Sequence, residues 1–175
     1  MSQLNKTQIH ELFAAINNEM SRLNLSGELN LVGGAVMCLV FDAREATQDV
    51  DAFFAPTTSL REAAKRVAFD RNLDPHWLND GVKGFLSPQG DFSDYLELSH
   101  LRVMTATAEY MLAMKCLATR IGDEFHDIDD IRYLLKHMGI ETVSKAYEII
   151  ANYYPLDKFP LKSKYILEEL LENDT

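Results

Sequence analysis

The stretch from Leu31 to Asp51 constrains this chain more than any other. It opens on Leu31-Val-Gly-Gly34, continues through a short apolar segment, and ends on Thr47-Gln-Asp-Val-Asp51. The apolar opening reads as a strand that breaks at Gly33 and Gly34. Asp49 and Asp51 then alternate around Val50. In a strand, residues i and i+2 face one side, so both carboxylates would point at one spot while Val50 enters the core. Two neighbouring like charges are costly unless a cation or a partner sits between them. Mg2+ (or Mn2+) would meet that need, since magnesium takes oxygen ligands and is held by one or two carboxylates together with substrate phosphates.

The remaining pattern surrounds this segment with helices. Ile9, Leu12, Phe13, Ile16, Met20 and Leu23 recur at helical spacing, and Asn5 followed by Gln8 forms a capping-box start. Glu28 to Val32 reads as a strand, residues 35–41 as a helix, and residues 49–54 as a second strand stopped by Pro56. Ser59-x-x-Glu62 predicts the opening of a further helix. Asp74-Pro75 predicts one or two helical turns over 75–79. Residues 95–105 carry the remaining strand signal, interrupted around Ser99 and His100. From Ala108 the chain reads as helices only, over 108–121, 127–138 with Gly139 as the stop, 142–153 and 161–171. The expected fold class is α+β: a small mixed β-sheet core with flanking helices over residues 1–106. A helical C-terminal half over 107–175 would pack on it as one compact unit.

Composition narrows the function classes. At 175 residues, one domain is the prior. The net charge of −10 opposes unaided binding to a nucleic-acid backbone. It does not oppose a small nucleotide held through a cation. Arg61, Lys65 and Arg66 form a modest basic face, which more often is plain solvated surface. Cys38 and Cys116 sit in apolar surroundings without CxxC spacing and read as small buried hydrophobes. The N-terminus lacks the apolar core of a signal peptide, and no run of about 18 apolar residues occurs, so a cytoplasmic protein with no membrane span is expected. There is no G-x-S-x-G, Walker A or Rossmann fingerprint, nor zinc-type histidine spacing.

Gly-Gly, about a dozen residues, then Thr-x-Asp-Val-Asp resembles the signature of the DNA polymerase beta-like nucleotidyltransferase superfamily. Trp77-Leu-Asn-Asp80, Glu109-Tyr-Met-Leu-Ala-Met-Lys115 and Asp127-Ile-Asp-Asp130 are similar to motifs of a bacterial group within it, related to AbiEii-type toxins of toxin–antitoxin and phage-defence systems. The resemblance implies transfer of a nucleoside monophosphate from a nucleotide triphosphate to an acceptor: an RNA end, a protein side chain or a small molecule. It also implies roles. Gly33 and Gly34 would hug the triphosphate, and Thr47 would contact phosphate. Asp49 and Asp51 would hold the metal. Lys115 would face the phosphates, and Asp127 would complete the polar cluster. The superfamily's third carboxylate, on a later strand, would here be Glu97.

Each of these residues also has a purely structural reading. Gly33-Gly34 would serve equally as a strand-to-helix turn. Arg44 fits either a salt bridge or a phosphate. Lys115 lies on a helix that is nearly apolar all round, so it must snorkel or find a partner, and Asp127 is the candidate for an interhelical ion pair. Asp130 reads as a cap or structural partner, and Arg120 could pair with either acid. Trp77 reads first as a packing residue rather than a base-stacking one. His126 reads first as a solvated helix-start residue. Tyr147, Tyr153, Tyr154, Phe159 and Tyr165 read as a packing surface. The alternative to an enzyme is a catalytically inactive module of the same fold that binds a partner, such as an operon-encoded neighbour.

Overall fold

The computed structural model describes residues 3–119, 122 and 125–172. The chain forms two compact units. The first comprises Met1–Gly84 and Phe92–Ala106; the second comprises Phe85–Asp91 and Thr107–Thr175.

In the first unit a short strand β1 (Leu4–Asn5) leads into helix α1 (Lys6–Arg22). The capping box forms as the sequence predicts: Gln8 N–H donates to Asn5 Oδ1 and Asn5 N–H to Gln8 Oε1, both at 2.9 Å. Ile9, Leu12, Phe13, Ile16 and Met20 are its buried stripe. There follow β2 (Gly27–Val32), helix α2 (Gly33–Leu39), β3 (Ala46–Thr47), β4 (Val50–Ala55), helix α3 (Thr57–Arg71), β5 (Leu78–Asn79), β6 (Phe92–Glu97) and β7 (Leu101–Ala106). The main sheet has the order β5-β4-β2-β7-β6. β2 is antiparallel to β4 and parallel to β7, so the sheet is mixed. The fold class is α+β, as the sequence implies.

Alternation gives the sheet two unlike faces. Leu29, Leu31, Ala52, Phe54 and Val103 are fully buried on one of them. Helices α1 and α3 pack together and against β7 and β4 respectively. On the other face the register puts Val32 beside Asp51, Asn30 beside Phe53 and Met104, and Glu28 beside Arg102. The polar side of the sheet is therefore the side on which Asp51 emerges.

Four local expectations change. Helix α2 begins at Gly33 rather than at residue 35, and it ends at Leu39, because Ala43 N–H turns back to the Met37 carbonyl and Asp42 takes a positive φ of 50°. Strand β4 begins at Val50, so Asp49 sits just ahead of it. Helix α3 begins at Thr57, and no Ser59–Glu62 capping box is used, because the chain enters the helix directly after Pro56. The predicted helical turns over 75–79 do not form; residues 74–77 make a single tight turn, closed by Trp77 N–H to the Asp74 carbonyl at 3.0 Å. Asp74 does cap that turn, accepting from His76 N–H at 2.8 Å. Leu78 and Asn79 then pair in parallel with Val50 and Asp51, and a sheet edge wins over local helix propensity.

The second unit carries α4 (Ala108–Leu117), α5 (Asp127–His137), α6 (Val143–Ala151) and α7 (Leu161–Glu172). Thr107 and Thr142 cap α4 and α6 through their hydroxyls, and Gly139 at φ 64° follows the end of α5. Helix α4 ends at Leu117, short of the expected 121, because Ala118 leaves helical geometry as its C-cap with its N–H bonded to the Met114 carbonyl; residues 120 and 121 lie outside the described residues. Residues 85–91 belong to this unit for a visible reason. Ser87 N–H donates to Tyr110 Oη at 2.9 Å, and Ser87 Oγ donates to the Tyr153 carbonyl at 2.6 Å. Gly90 lies so close to the Tyr110 ring that a Cβ there would sit 2.9 Å from Cε1. Tyr110 and Tyr153 stack with centroids 5.0 Å apart. Tyr110, Tyr153 and Phe159 thus act as packing residues. Among the described residues, no helix is long and apolar enough to cross a membrane.

Candidate functional site

The first cluster forms where β2 gives way to α2. Gly33 takes φ +68°, a conformation that L side chains rarely adopt. It is also in tight contact, since a Cβ on Gly33 would stand 3.0 Å from Asp51 Oδ2. At Gly34 a Cβ would stand 2.7 Å from Thr47 Oγ1 and 3.0 Å from the Arg44 guanidinium. The diglycine lets an acid, a hydroxyl and a guanidinium converge on bare backbone. Gly33, Gly34, Arg44, Thr47 and Asp51 therefore come together in one place.

Asp49 joins the same neighbourhood. Thr47 Oγ1 donates to the Asp49 carbonyl at 3.2 Å, and Asn79 Nδ2 donates to Asp49 Oδ2 at 3.2 Å. Asn79 is also the β5 partner of Asp51. Val50 between the two acids is fully buried, whereas Asp49 and Asp51 are only partly so. Asp51 leaves the sheet on its polar side, Asp49 just ahead of the strand is tied to the same edge through Asn79, and solvent reaches both. Asn79 is a member that the sequence pattern did not reveal as part of the site. The only signal for it was its place in Trp77-Leu-Asn-Asp80.

Glu97 does not join this cluster. The register runs Glu97 to Arg102, Arg102 to Glu28, and Glu28 to Ala55. That row is four residues from the row of Val32 and Asp51, or about 13 Å along the strands at ~3.3 Å per residue. Arg102 sits among acids there, 2.6 Å from Asp94 and 3.5 Å from Glu28. On the polar face of β7 the residues are Arg102, Met104 and Ala106, so that strand supplies no acid in place of Glu97. Among the described residues, no group of three or more His, Cys, Asp or Glu side chains could hold a metal ion. A cation at this site would have two carboxylates, with the rest of its shell coming from water or a ligand's phosphates.

The flank of the site is a charged clamp. Asp80 accepts from Lys83 Nζ at 2.5 Å and from Arg61 at 2.7 Å. The Lys83 hydrogen bond holds the Asp80 carboxyl below the usual carboxylate range; the Arg61 charge adds to this, against an upward push from burial. A depressed folded pKa stabilises the native state above the unfolded pKa of about 3.9, and that contribution is lost as pH falls through the folded value. Asp80→Asn is therefore expected to cost about 0.5–1 kcal/mol at pH 7, since the half-exposed partners are screened by solvent. It should flatten the acid limb of the stability curve below pH ~4. Urea melts at pH 7 and pH 3 check this, and an unchanged difference between wild type and variant at the two pH values would refute it. Arg61 is thus paired with Asp80, and Arg66 approaches Glu19 at 3.5 Å, so two members of the expected basic face are engaged in ion pairs.

The second unit holds the other candidates. Lys115 Nζ lies 2.8 Å from Asp127 Oδ1 and 2.8 Å from Asp130 Oδ2. Both carboxylates are 5% exposed and the lysine side chain 11%. The interhelical pair forms: Lys115 hydrogen-bonds Asp127 Oδ1, and Asp130 Oδ2 stands at ion-pair distance without hydrogen-bond geometry. Asp127 and Asp130 are one turn apart at the start of α5, where the helix dipole favours negative charge. Arg120 lies outside the described residues. His126 is the N-cap of α5 and makes no side-chain cap bond. Burial pushes the thiols of Cys38 and Cys116 up, which keeps both protonated and inert. Trp77 is buried, with its indole N–H donating to the Ala64 carbonyl at 3.1 Å, and is therefore a packing residue. No known family model, curated protein or solved structure matches the chain, so its functional reading rests on this geometry.

Proposed function

We propose that the chain is a metal-dependent nucleotidyltransferase that moves a nucleoside monophosphate from a nucleotide triphosphate to an acceptor. One observation carries the reading: Asp51 on β4 and Asp49 just ahead of it carry partly exposed carboxylates, and Asp51 lies against a diglycine bend whose other neighbours are a hydroxyl and a guanidinium. Asp49 and Asp51 would hold Mg2+ or Mn2+. Bound there, the ion would neutralise charge on the triphosphate and on the departing pyrophosphate. Arg44 and the Thr47 hydroxyl, both beside Gly34, would meet phosphate oxygens. The acceptor oxygen would attack the α-phosphorus as the bond to pyrophosphate breaks. The rate would come from positioning and charge neutralisation rather than from a covalent intermediate.

Lys115 remains in the proposal as the phosphate-facing residue implied by the resemblance, with Asp127 completing the polar cluster. Lys115 is held by two carboxylates, so contact with phosphate requires it to leave one of them. The acceptor class stays an RNA end, a protein side chain or a small molecule, in a toxin–antitoxin or phage-defence setting. The net charge of −10 disfavours a long nucleic acid gripped without help. A second reading, a non-catalytic nucleotide-binding or partner module, draws on the count of two acids where Glu97 was expected to add a third.

Thermal melts test both readings. Each triphosphate with Mg2+ or Mn2+ should raise the melting temperature, by the equivalent of about 2.7 kcal/mol at a hundredfold excess over Kd. The rise should vanish without metal. A flat response to every triphosphate would overturn the enzyme and the nucleotide-binding module together. A metal-dependent rise without label transfer to cell RNA or protein would favour the module.

A further inference from the structure

We infer that Asn79 is a positioning residue whose side-chain amide sets the direction of the Asp49 carboxylate towards a divalent cation. The inference rests on the proposed function and adds to it a residue that the motif did not assign. Asn79 Nδ2 donates to Asp49 Oδ2 at 3.2 Å, while Asn79 Oδ1 accepts from Gly81 N–H at 3.2 Å. The second bond fixes which end of the amide faces the acid, since a flipped amide would turn its oxygen on the carboxylate and lose Gly81. An amide donor suits this task. It orients a carboxylate without bringing a positive charge that would compete with a cation.

The mount of Asn79 is firm although its strand has two residues. On one side, Trp77 is pinned to α3 through its indole bond to Ala64, and its carbonyl accepts from Val50 N–H at 2.6 Å. On the other side, Asp80 is clamped by Arg61 and Lys83. Between these anchors, the Leu78–Asn79 backbone pairs with Val50–Asp51. The segment that carries the amide is thus tied to the segment that carries both acids. A backbone shift of Asn79 would have to break this pairing, and a side-chain rotation would lose the bond from Gly81 N–H.

The test is a Mn2+ titration of the full chain, followed by electron paramagnetic resonance, on wild type, Asn79→Ala and Asn79→Ser. The serine variant guards against a folding failure. Its hydroxyl can still accept from Gly81 N–H in a two-residue turn, but it is too short to reach Asp49. Both variants are expected to bind Mn2+ about 10–100-fold more weakly, with the melting temperature of Asn79→Ser close to that of wild type. Equal Mn2+ affinity in wild type and both variants would overturn the positioning role while leaving the proposed function standing. A fall in melting temperature with no change in affinity would do the same, marking Asn79 as purely structural. Failure of the wild type itself to bind Mn2+, with and without a triphosphate, would overturn the proposed function and this inference with it.

Discussion

Asp51→Asn is expected to reduce nucleotide transfer about 10³-fold or more, because several kcal/mol of charge stabilisation by a bound ion depends on its carboxylate. The fold should survive. Asp51 is partly exposed on the polar face of the sheet, and its strand is held by Val50, Ala52 and Phe54 on the other face. Asparagine keeps the size of the side chain, so the contact with Gly33, where a Cβ would lie 3.0 Å from Oδ2, stays tolerable. The metal-dependent rise in melting temperature should disappear together with the activity. Transfer of label from α-phosphate-labelled triphosphates into total cell RNA and protein measures the first effect. Wild-type transfer by the variant would remove Asp51 from the mechanism.

Lys115→Met is expected to cost about 3–5 kcal/mol of stability, the range for breaking a buried ion pair by deleting one partner. Methionine fits the apolar helix α4, so the loss comes from electrostatics rather than from packing. Asp127 and Asp130, each 5% exposed, would face each other without the ammonium now 2.8 Å from both. Asp127→Asn or Asp130→Asn alone should cost less, under about 2 kcal/mol, since one lysine and one carboxylate remain. Combining Lys115→Met with both asparagine changes should recover part of the loss, because no buried charge is left uncompensated. Urea denaturation of the single, double and triple variants measures this. A Lys115→Met protein within about 1 kcal/mol of wild type would show that the cluster is solvated or rearranges freely. Inactivity of Lys115→Met would not by itself assign the lysine to phosphate, because the same change weakens the fold.

Much of this was legible because it is local. The Asn5–Gln8 capping box, the buried stripe of α1, the alternation of Asp49, Val50 and Asp51, and the pairing of Lys115 with Asp127 each depend on spacings of two to four residues or on a lone charge in an apolar helix. Such patterns fix which side a group faces whatever else the chain does. Glu97 was misplaced by the same logic. Its neighbours alternate correctly, but alternation sets the face of a strand and not its height. Height follows from register with β7, whose own parallel pairing to β2 puts residues 101–105 beside 27–31.

Asn79 shows the opposite limit. By local signal it belonged to a helical turn after Asp74-Pro75, but only a tight turn over 74–77 forms there. The ladder to Val50 and Asp51 puts Leu78 and Asn79 in an edge strand and turns an unremarked amide into a neighbour of Asp49. The amino-acid sequence by itself thus determined most of the helices, the capping box of α1 and the mixed α+β class, since these follow from short-range periodicity and hydrogen bonding. Only the tertiary structure decided which side chains share the site, because contacts between residues thirty positions apart depend on strand order and register, and no local spacing encodes those.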